Sequence, residues 1–249
     1  MRNKQRIIQN IPLSFLDSEE ESSHTFLFLH GWGLSKEIFQ ELFPFFSEFR
    51  VVALDFPGFG KTPLPQNGLT LQGYADILEE FLQKEHIEKY TLIGHSFSGR
   101  VSMLHESQHK KAHSLVLLSS GGILNTSFKV RFLKKLSLLK NLFPSKKIEQ
   151  WWYRYIVREE DALTALSSLD MKKTFQKIVG TDCLPFAEKI SCKTLILWGK
   201  EDTVTPLSHA KKFHHAIKNS VLKTHSGSHH VFLEYPSWVQ EEIKNFCVS

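Results

Sequence analysis

Cysteine is scarce in this chain of 249 residues. Cys183, Cys192 and Cys247 are too few and too scattered for a disulfide framework or a CxxC metal pair. A reducing, cytoplasmic setting is the expectation that follows. Long apolar runs are also lacking, and no stretch approaches the ~20 residues needed to span a bilayer. The N-terminal segment from Met1 to Ile8 is basic, but no apolar region follows it, so no signal peptide is read. Internal repeats, low-complexity segments and a disordered tail are missing as well. Positive charge is present but not spread: of the net +5, the stretch from Lys129 to Glu160 carries nine Lys/Arg against three Glu, leaving the rest slightly acidic. A nucleic-acid binder distributes its basic residues along a groove or recognition helix. No such motif occurs, and no nucleic-acid partner is expected. The basic balance belongs to one segment and needs an explanation there.

What is present is a rhythm. Short, wholly apolar runs recur at Thr25–Leu29, Val51–Leu54, Tyr90–Ile93, Leu115–Leu118 and Thr194–Trp198. Runs of this kind predict strands buried on both faces. Helical patterns lie between them, among them Leu71–Lys84 behind a capping Thr70. Alternating strands and helices imply a mostly parallel sheet with helices on both faces. Ile7–Leu16 reads as a weaker β segment, with Pro12 marking an edge or a break. A shorter strand near Val221-Leu222 and helices at His209–Ile217 and Pro236–Phe246 complete the pattern. Between Gly121 and Ala187 the rhythm stops, and the segment reads as helical.

The chemistry concentrates at Gly94-His95-Ser96-Phe97-Ser98-Gly99, directly after the third core strand. A serine between small residues, where a strand ends and a helix begins, is held at a sharp turn with its oxygen exposed. Ser96 is therefore the candidate nucleophile. A serine hydroxyl needs a histidine to take its proton, and the histidine needs a carboxylate to orient it. Ser98 stands as a weaker rival, and a helix-capping serine is the plain alternative.

Four motifs in order carry a resemblance over nearly the whole length. They are His30-Gly31-Trp32-Gly33, Asp55-Phe56-Pro57-Gly58-Phe59-Gly60, the turn at Ser96, and a C-terminal pair. The pair is Trp198-Gly199-Lys200-Glu201-Asp202 with the run from Gly227 to Pro236. On these the chain resembles the α/β-hydrolase superfamily of serine hydrolases and esterases. The resemblance implies one α/β-hydrolase core made of 1–120 and 188–249, with 121–187 inserted as a helical lid. It implies Asp202 as the orienting acid, with the adjacent Glu201 as competitor. It implies His229 as general base, five residues before Glu234, with His230 as competitor. Backbone N–H groups of Trp32 and Phe97 would form the oxyanion hole. His30, Asp55 and the neighbouring glycines would shape loops, and His95 would have no chemical role. Ser98 departs from the family pattern, which has glycine there.

The implied reaction is cleavage of a carboxylic ester through an acyl-enzyme, on a small-molecule ester or acyl substrate, with no cofactor and no metal. The same triad serves carbon–carbon bond hydrolysis and cofactor-free peroxidation, because the fold does not set the substrate. A non-catalytic binding protein on a hydrolase scaffold is the alternative of another class. Dehalogenases and epoxide hydrolases of this superfamily use an aspartate where this chain has Ser96. Within the lid, Phe128, Phe132, Leu136, Leu139 and Phe143 form one apolar stripe, with Lys134, Lys135, Lys140, Lys146 and Lys147 between and after them. The stripe suits a lid helix with a solvated basic face, a dock for an acidic partner, or contact with an anionic membrane surface. Trp151-Trp152-Tyr153 reads as lid core. The loops at His30 and Asp55 are similar to those of pimeloyl-acyl-carrier-protein methyl ester esterases, which bind an acidic carrier protein through basic lid residues.

Overall fold

A computed structural model describes residues 1–124 and 168–248. Its sheet has eight strands in the order β1-β2-β4-β3-β5-β6-β7-β8. They are β1 Arg2–Ile8, β2 Ile11–Asp17, β3 Thr25–Leu29, β4 Arg50–Leu54, β5 Tyr90–His95, β6 Ser114–Leu118, β7 Lys193–Gly199 and β8 Ser220–His225. The pairs β1–β2 and β2–β4 are antiparallel, and every other pair is parallel.

The apolar runs feed two cores because successive strand residues point to opposite faces. Leu27, Leu29, Val52, Leu54, Leu92, Leu115 and Leu117 face one core. Phe26, Phe28, Val51, Ala53, Ile93, Val116 and Leu118 face the other. The first core is covered by helices α1 (Leu71–Lys84) and α2 (Phe97–His109). The second is covered by the terminal helix, Pro236–Val248, and by two 3₁₀ turns that bury Phe39, Phe43 and Phe46. Thr70 caps α1 as expected, its hydroxyl accepting from Gly73 N at 3.1 Å, a contact worth about 1 kcal/mol.

The N-terminal segment departs from the sequence reading. Ile7–Leu16 is not one strand: β1 and β2 form a hairpin in which Pro12 pairs with Ile7. The turn is Gln9-Asn10, with φ of 47° and 63°. Two successive positive φ values match the right-handed twist of the flanking strands. Asparagine tolerates that conformation, and glycine is not needed here.

Of the 121–187 segment, the described part is helical. It contains α3 (Leu169–Val179), capped by Ser168, and α4 (Leu184–Ala187). Helices α5 (Leu207–Ala216), α6 (Val231–Glu234) and α7 (Pro236–Val248) follow. The basic stripe from Phe128 to Lys147, the Trp151-Trp152-Tyr153 cluster and any partner surface on them lie outside the described residues. Helix α3 is fastened to the core at three points. Phe175 packs on Trp32 with ring centroids 5.0 Å apart. The Thr174 hydroxyl accepts from Leu69 N at 3.0 Å. Arg100, on α2, donates to the carbonyls of Ile178 and Thr181 at 3.3 and 3.2 Å, satisfying acceptors that a helix end leaves open. Among the described residues no helix is long and apolar enough to cross a membrane.

Candidate active site

The carboxyl ends of the parallel strands gather the candidate residues. Strands β3 and β5 pair with Leu29 opposite Gly94, so the loops after them run side by side. One carries Trp32 and the other Ser96 and Phe97. Ser96 has φ 50° and ψ −107°, between β5 and α2. A non-glycine residue held there costs on the order of 1–3 kcal/mol and needs its surroundings to enforce it. They do so with two backbone bonds: Ser96 N donates to Leu118 O, and Gly121 N donates to Ser96 O, each at 3.0 Å. Close packing does the rest. A Cβ on Gly99 would lie 1.8 Å from Ser120 Oγ. The Ser96 side chain makes no helix-capping bond, so the capping alternative fails and its hydroxyl is left for other work.

Ser98 occupies the position where the pattern has glycine without disturbing the turn. It is fully buried, and its hydroxyl donates to Leu29 O at 2.5 Å, with His95 O at 3.0 Å. It is a strut between the β3 end and the turn. Its proton is committed, unlike that of Ser96.

Asp202 and His229 come from the loops after β7 and β8. Gly199 ends β7 where a Cβ would collide with Ser228 O at 2.2 Å, so the two loops touch backbone to backbone. His229 Nδ1 lies 2.9 Å from Asp202 Oδ2. The same carboxylate accepts from Val204 N and Thr205 N at Oδ1, both at 2.8 Å, and from Thr205 Oγ1 at Oδ2, at 2.7 Å. Burial pushes the Asp202 carboxyl up, but the His229 hydrogen bond and charge and the Thr205 donors outweigh it and hold it below the usual range. The two competitors are placed elsewhere. Glu201 is exposed and takes Gly227 N. His230 is half-buried, its ring 5.4 Å from that of His95. Glu234 accepts from Ser228 N at 3.0 Å and from the Ser228 hydroxyl. The spacing of five between His229 and Glu234 thus closes the loop that presents the imidazole.

Trp32 and Phe97 stand next to each other, ring centroids 5.5 Å apart. Phe97 is the first residue of α2, where backbone N–H groups have no intrahelical acceptor. His30 ties the first loop to the second: Nδ1 donates to Gly31 O at 2.7 Å and Nε2 accepts from Phe56 N at 3.1 Å. Those two bonds define one neutral tautomer, and complete burial lowers the pKa of the ring. Asp55 is a loop hub, accepting from Lys36 N at 2.8 Å, Lys36 Nζ at 2.6 Å and Lys61 N at 3.0 Å.

The sequence model of the alpha/beta hydrolase family matches residues 26–242. The chain belongs to the alpha/beta hydrolase family. It is 25% identical over 249 residues to the uncharacterized hydrolase YugF of Bacillus subtilis, covering 89% of each chain. Its fold is similar to that of an esterase from Exiguobacterium antarcticum, with a TM-score of 0.77 at 19% identity over 100% of both chains. It is also similar to a meta-cleavage product hydrolase from Pseudomonas fluorescens, with a TM-score of 0.71 at 18% identity over 98% of this chain and 96% of the other. Likeness at these identities speaks for the fold and leaves the substrate to the site.

The contacts of two residues of this hydrolase went unread in the sequence. Thr205 is one: its hydroxyl lies within reach of Asp202, His229 Nδ1 (3.2 Å) and Ser119 O (3.1 Å). His95 is the other: read as having no chemical role, it has a structural one. It is buried, its ring stacks 4.9 Å from that of His229, and its Nε2 donates to His229 O at 3.2 Å. Burial among other imidazoles holds it well below the ordinary histidine range, hence neutral. His95 therefore fastens the loop that carries His229. A lone histidine in a strand gives no sign of a partner 134 positions away.

Proposed function

We propose that this hydrolase cleaves a carboxylic ester through an acyl-enzyme, with Ser96 as nucleophile, His229 as general base and Asp202 as the acid that orients it. The observation that carries the reading is the carboxylate–imidazole pair at 2.9 Å with the carboxylate fully hydrogen-bonded; it is supported by the strained strand-to-helix turn at Ser96, which follows directly on His95, whose ring lies 4.9 Å from that of His229. Asp202 fixes the proton on Nδ1, so Nε2 offers its lone pair to the serine. Ser96 attacks the ester carbonyl while His229 takes its proton. The N–H groups of Trp32 and Phe97 receive the oxyanion, and His229 returns the proton to the departing alcohol. Water repeats the sequence on the acyl-enzyme and frees Ser96. The 121–187 segment serves as the lid, and α3, fastened over Trp32, supports that assignment. The substrate is a small ester or acyl compound; an acidic carrier or anionic surface at the basic lid remains a further part of the proposal.

A fluorophosphonate probe tests it. Wild type labels stoichiometrically and hydrolyses a p-nitrophenyl ester, whereas Ser96→Ala does neither. Labelling that persists in Ser96→Ala removes Ser96 as the nucleophile. Turnover of a dienoate ketone without ester turnover would replace ester cleavage by carbon–carbon hydrolysis. Absence of labelling altogether would favour a binding protein on this scaffold.

A further inference from the structure

The far end of α2 holds a second constellation that the proposed reaction does not use. Glu79 on α1 faces His105 and His109 on α2, one helical turn apart and therefore on one face. The two oxygens of Glu79 are differently employed. Oε1 accepts from Lys111 Nζ at 2.6 Å and Gln83 Nε2 at 2.7 Å. Oε2 faces two imidazole nitrogens, His105 Nε2 at 3.0 Å and His109 Nδ1 at 3.7 Å. All three ligand atoms lie within 4.8 Å of one another.

The second nitrogen of His105 is already committed. Its Nδ1 lies 3.0 Å from Glu106 Oε1, and the other oxygen of Glu106 is fixed by Ala112 N at 3.0 Å. An imidazole that gives its Nδ1 proton to Glu106 presents a lone pair at Nε2. That lone pair points at a carboxylate oxygen 3.0 Å away inside the protein. Two acceptors at that distance require a positive charge between them. A shared proton is one such charge and a metal ion is the other. The proton accounts for the His105 contact but not for His109, whose 3.7 Å separation from Oε2 is too long for a hydrogen bond.

We propose that Glu79, His105 and His109 form a binding site for a borderline divalent cation, zinc in the first instance. Metal–ligand bonds of about 2.0–2.2 Å bring such atoms to roughly tetrahedral separations. His109, the last residue of α2, retains 28% exposure of its side chain and can close the remaining gap. Glu106 supplies the outer carboxylate that commonly fixes the tautomer of a ligating histidine. Lys111 leaves Oε2 free, and its half-exposed chain can turn away from the incoming charge. His105 follows Ser96 by nine residues, about 14 Å along a helix. The ion is therefore structural, clamping α1 to the helix that begins directly after Ser96.

The test uses untagged full-length protein, stripped with a chelator that is then removed. Zinc is titrated in competition with a chromophoric chelator, and thermal midpoints are measured with and without zinc. The expected result is one saturable zinc per chain and a raised midpoint. His109→Ala, at a partly exposed helix end, should weaken binding at least tenfold and abolish the midpoint shift while leaving ester turnover unchanged. Glu106→Gln should weaken it by about 10–100-fold. Cobalt should give a tetrahedral spectrum without thiolate charge-transfer bands. No saturable zinc in wild type overturns the proposal, as does zinc binding that is unchanged in His109→Ala.

Discussion

Two buried aspartates stand just beyond the carboxyl ends of their strands, Asp55 after β4 and Asp202 after β7. Both carboxylates are satisfied at both oxygens, and backbone N–H groups pin each to its own loop. They differ in the last partner. Asp55 meets the ammonium of Lys36, a pair with both side chains inaccessible to water. Asp202 meets an imidazole, which has a second nitrogen. The ammonium passes the contact only to Glu37 Oε1, a surface carboxylate 3.0 Å away, whereas the imidazole offers a second nitrogen. The same pinned carboxylate thus makes a loop hub in one place and, in the proposed reaction, half of a proton relay in the other. Only the second has a part in the proposed reaction.

Replacing each aspartate by asparagine separates the roles. Asp202→Asn keeps the shape but no longer fixes the Nδ1 proton, so kcat should fall by about four orders of magnitude. Thermal stability should change far less. Asp55→Asn should do the reverse. It leaves a buried ammonium with only the half-exposed Glu37 as charge partner, at a cost below the about 3–5 kcal/mol of a wholly unpaired buried charge, while the folded fraction keeps kcat within a few-fold. Equal losses of kcat in the two variants would break the distinction. Denaturant melts alongside ester kinetics read both quantities.

Much of this arrangement was legible beforehand, and the reasons are physical. Strands buried on both faces must be apolar at every position, so Thr25–Leu29 and Leu115–Leu118 stand out in any reading. Backbone that turns sharply between packed elements needs small residues, which is why Gly94 and Gly99 bracket Ser96. The hairpin at Gln9-Asn10 was missed because its turn uses no glycine and its edge strand β1 is mostly exposed, with little apolar pattern to read. The contacts of Thr205, His95 and Arg100 were missed for a different reason. They are long-range hydrogen bonds, and such bonds impose no periodicity on the sequence. The resemblance points to His229 and Asp202 through motif residues that also constrain their loops, Glu234 and Gly199.

Thr205 and His95 refine the comparison from the relay side. Thr205→Val removes the hydroxyl between Asp202 Oδ2, His229 and Ser119 O and leaves buried acceptors short of a donor, at about 1–3 kcal/mol. Because the carboxylate keeps its two N–H bonds, kcat should drop by roughly tenfold (about 1.4 kcal/mol) and not by the amount expected for Asp202→Asn. His95→Phe keeps a ring against His229 but loses the bond to its carbonyl. A fall in kcat of a few-fold with KM unchanged is expected, with His95→Gln recovering part of it. A change in KM alone would make His95 a packing residue and nothing more.

The smallest effect is one of pH, and it arises at the opposite end of the sheet. His24, just before β3, is buried, and its Nε2 is 2.9 Å from Thr91 Oγ1. Burial, with the charges of His113 and two lysines, lowers its pKa to about 4. Unfolded, the same ring titrates near 6.5. Between those values the unfolded chain binds more protons than the folded one, so stability declines as pH falls from about 6.5 to about 4 and is insensitive to this group below that. His24→Gln should flatten that slope in pH-dependent melts. Asp202 behaves differently. Its carboxyl is held below the ordinary range, so it stays ionised throughout the window in which His24 is being lost. Acid in that window should therefore weaken the fold without uncharging the orienting carboxylate. If His24→Gln leaves the slope as steep as in wild type, the sensitive group lies elsewhere, and the neutral His95 beside the relay is the next to replace.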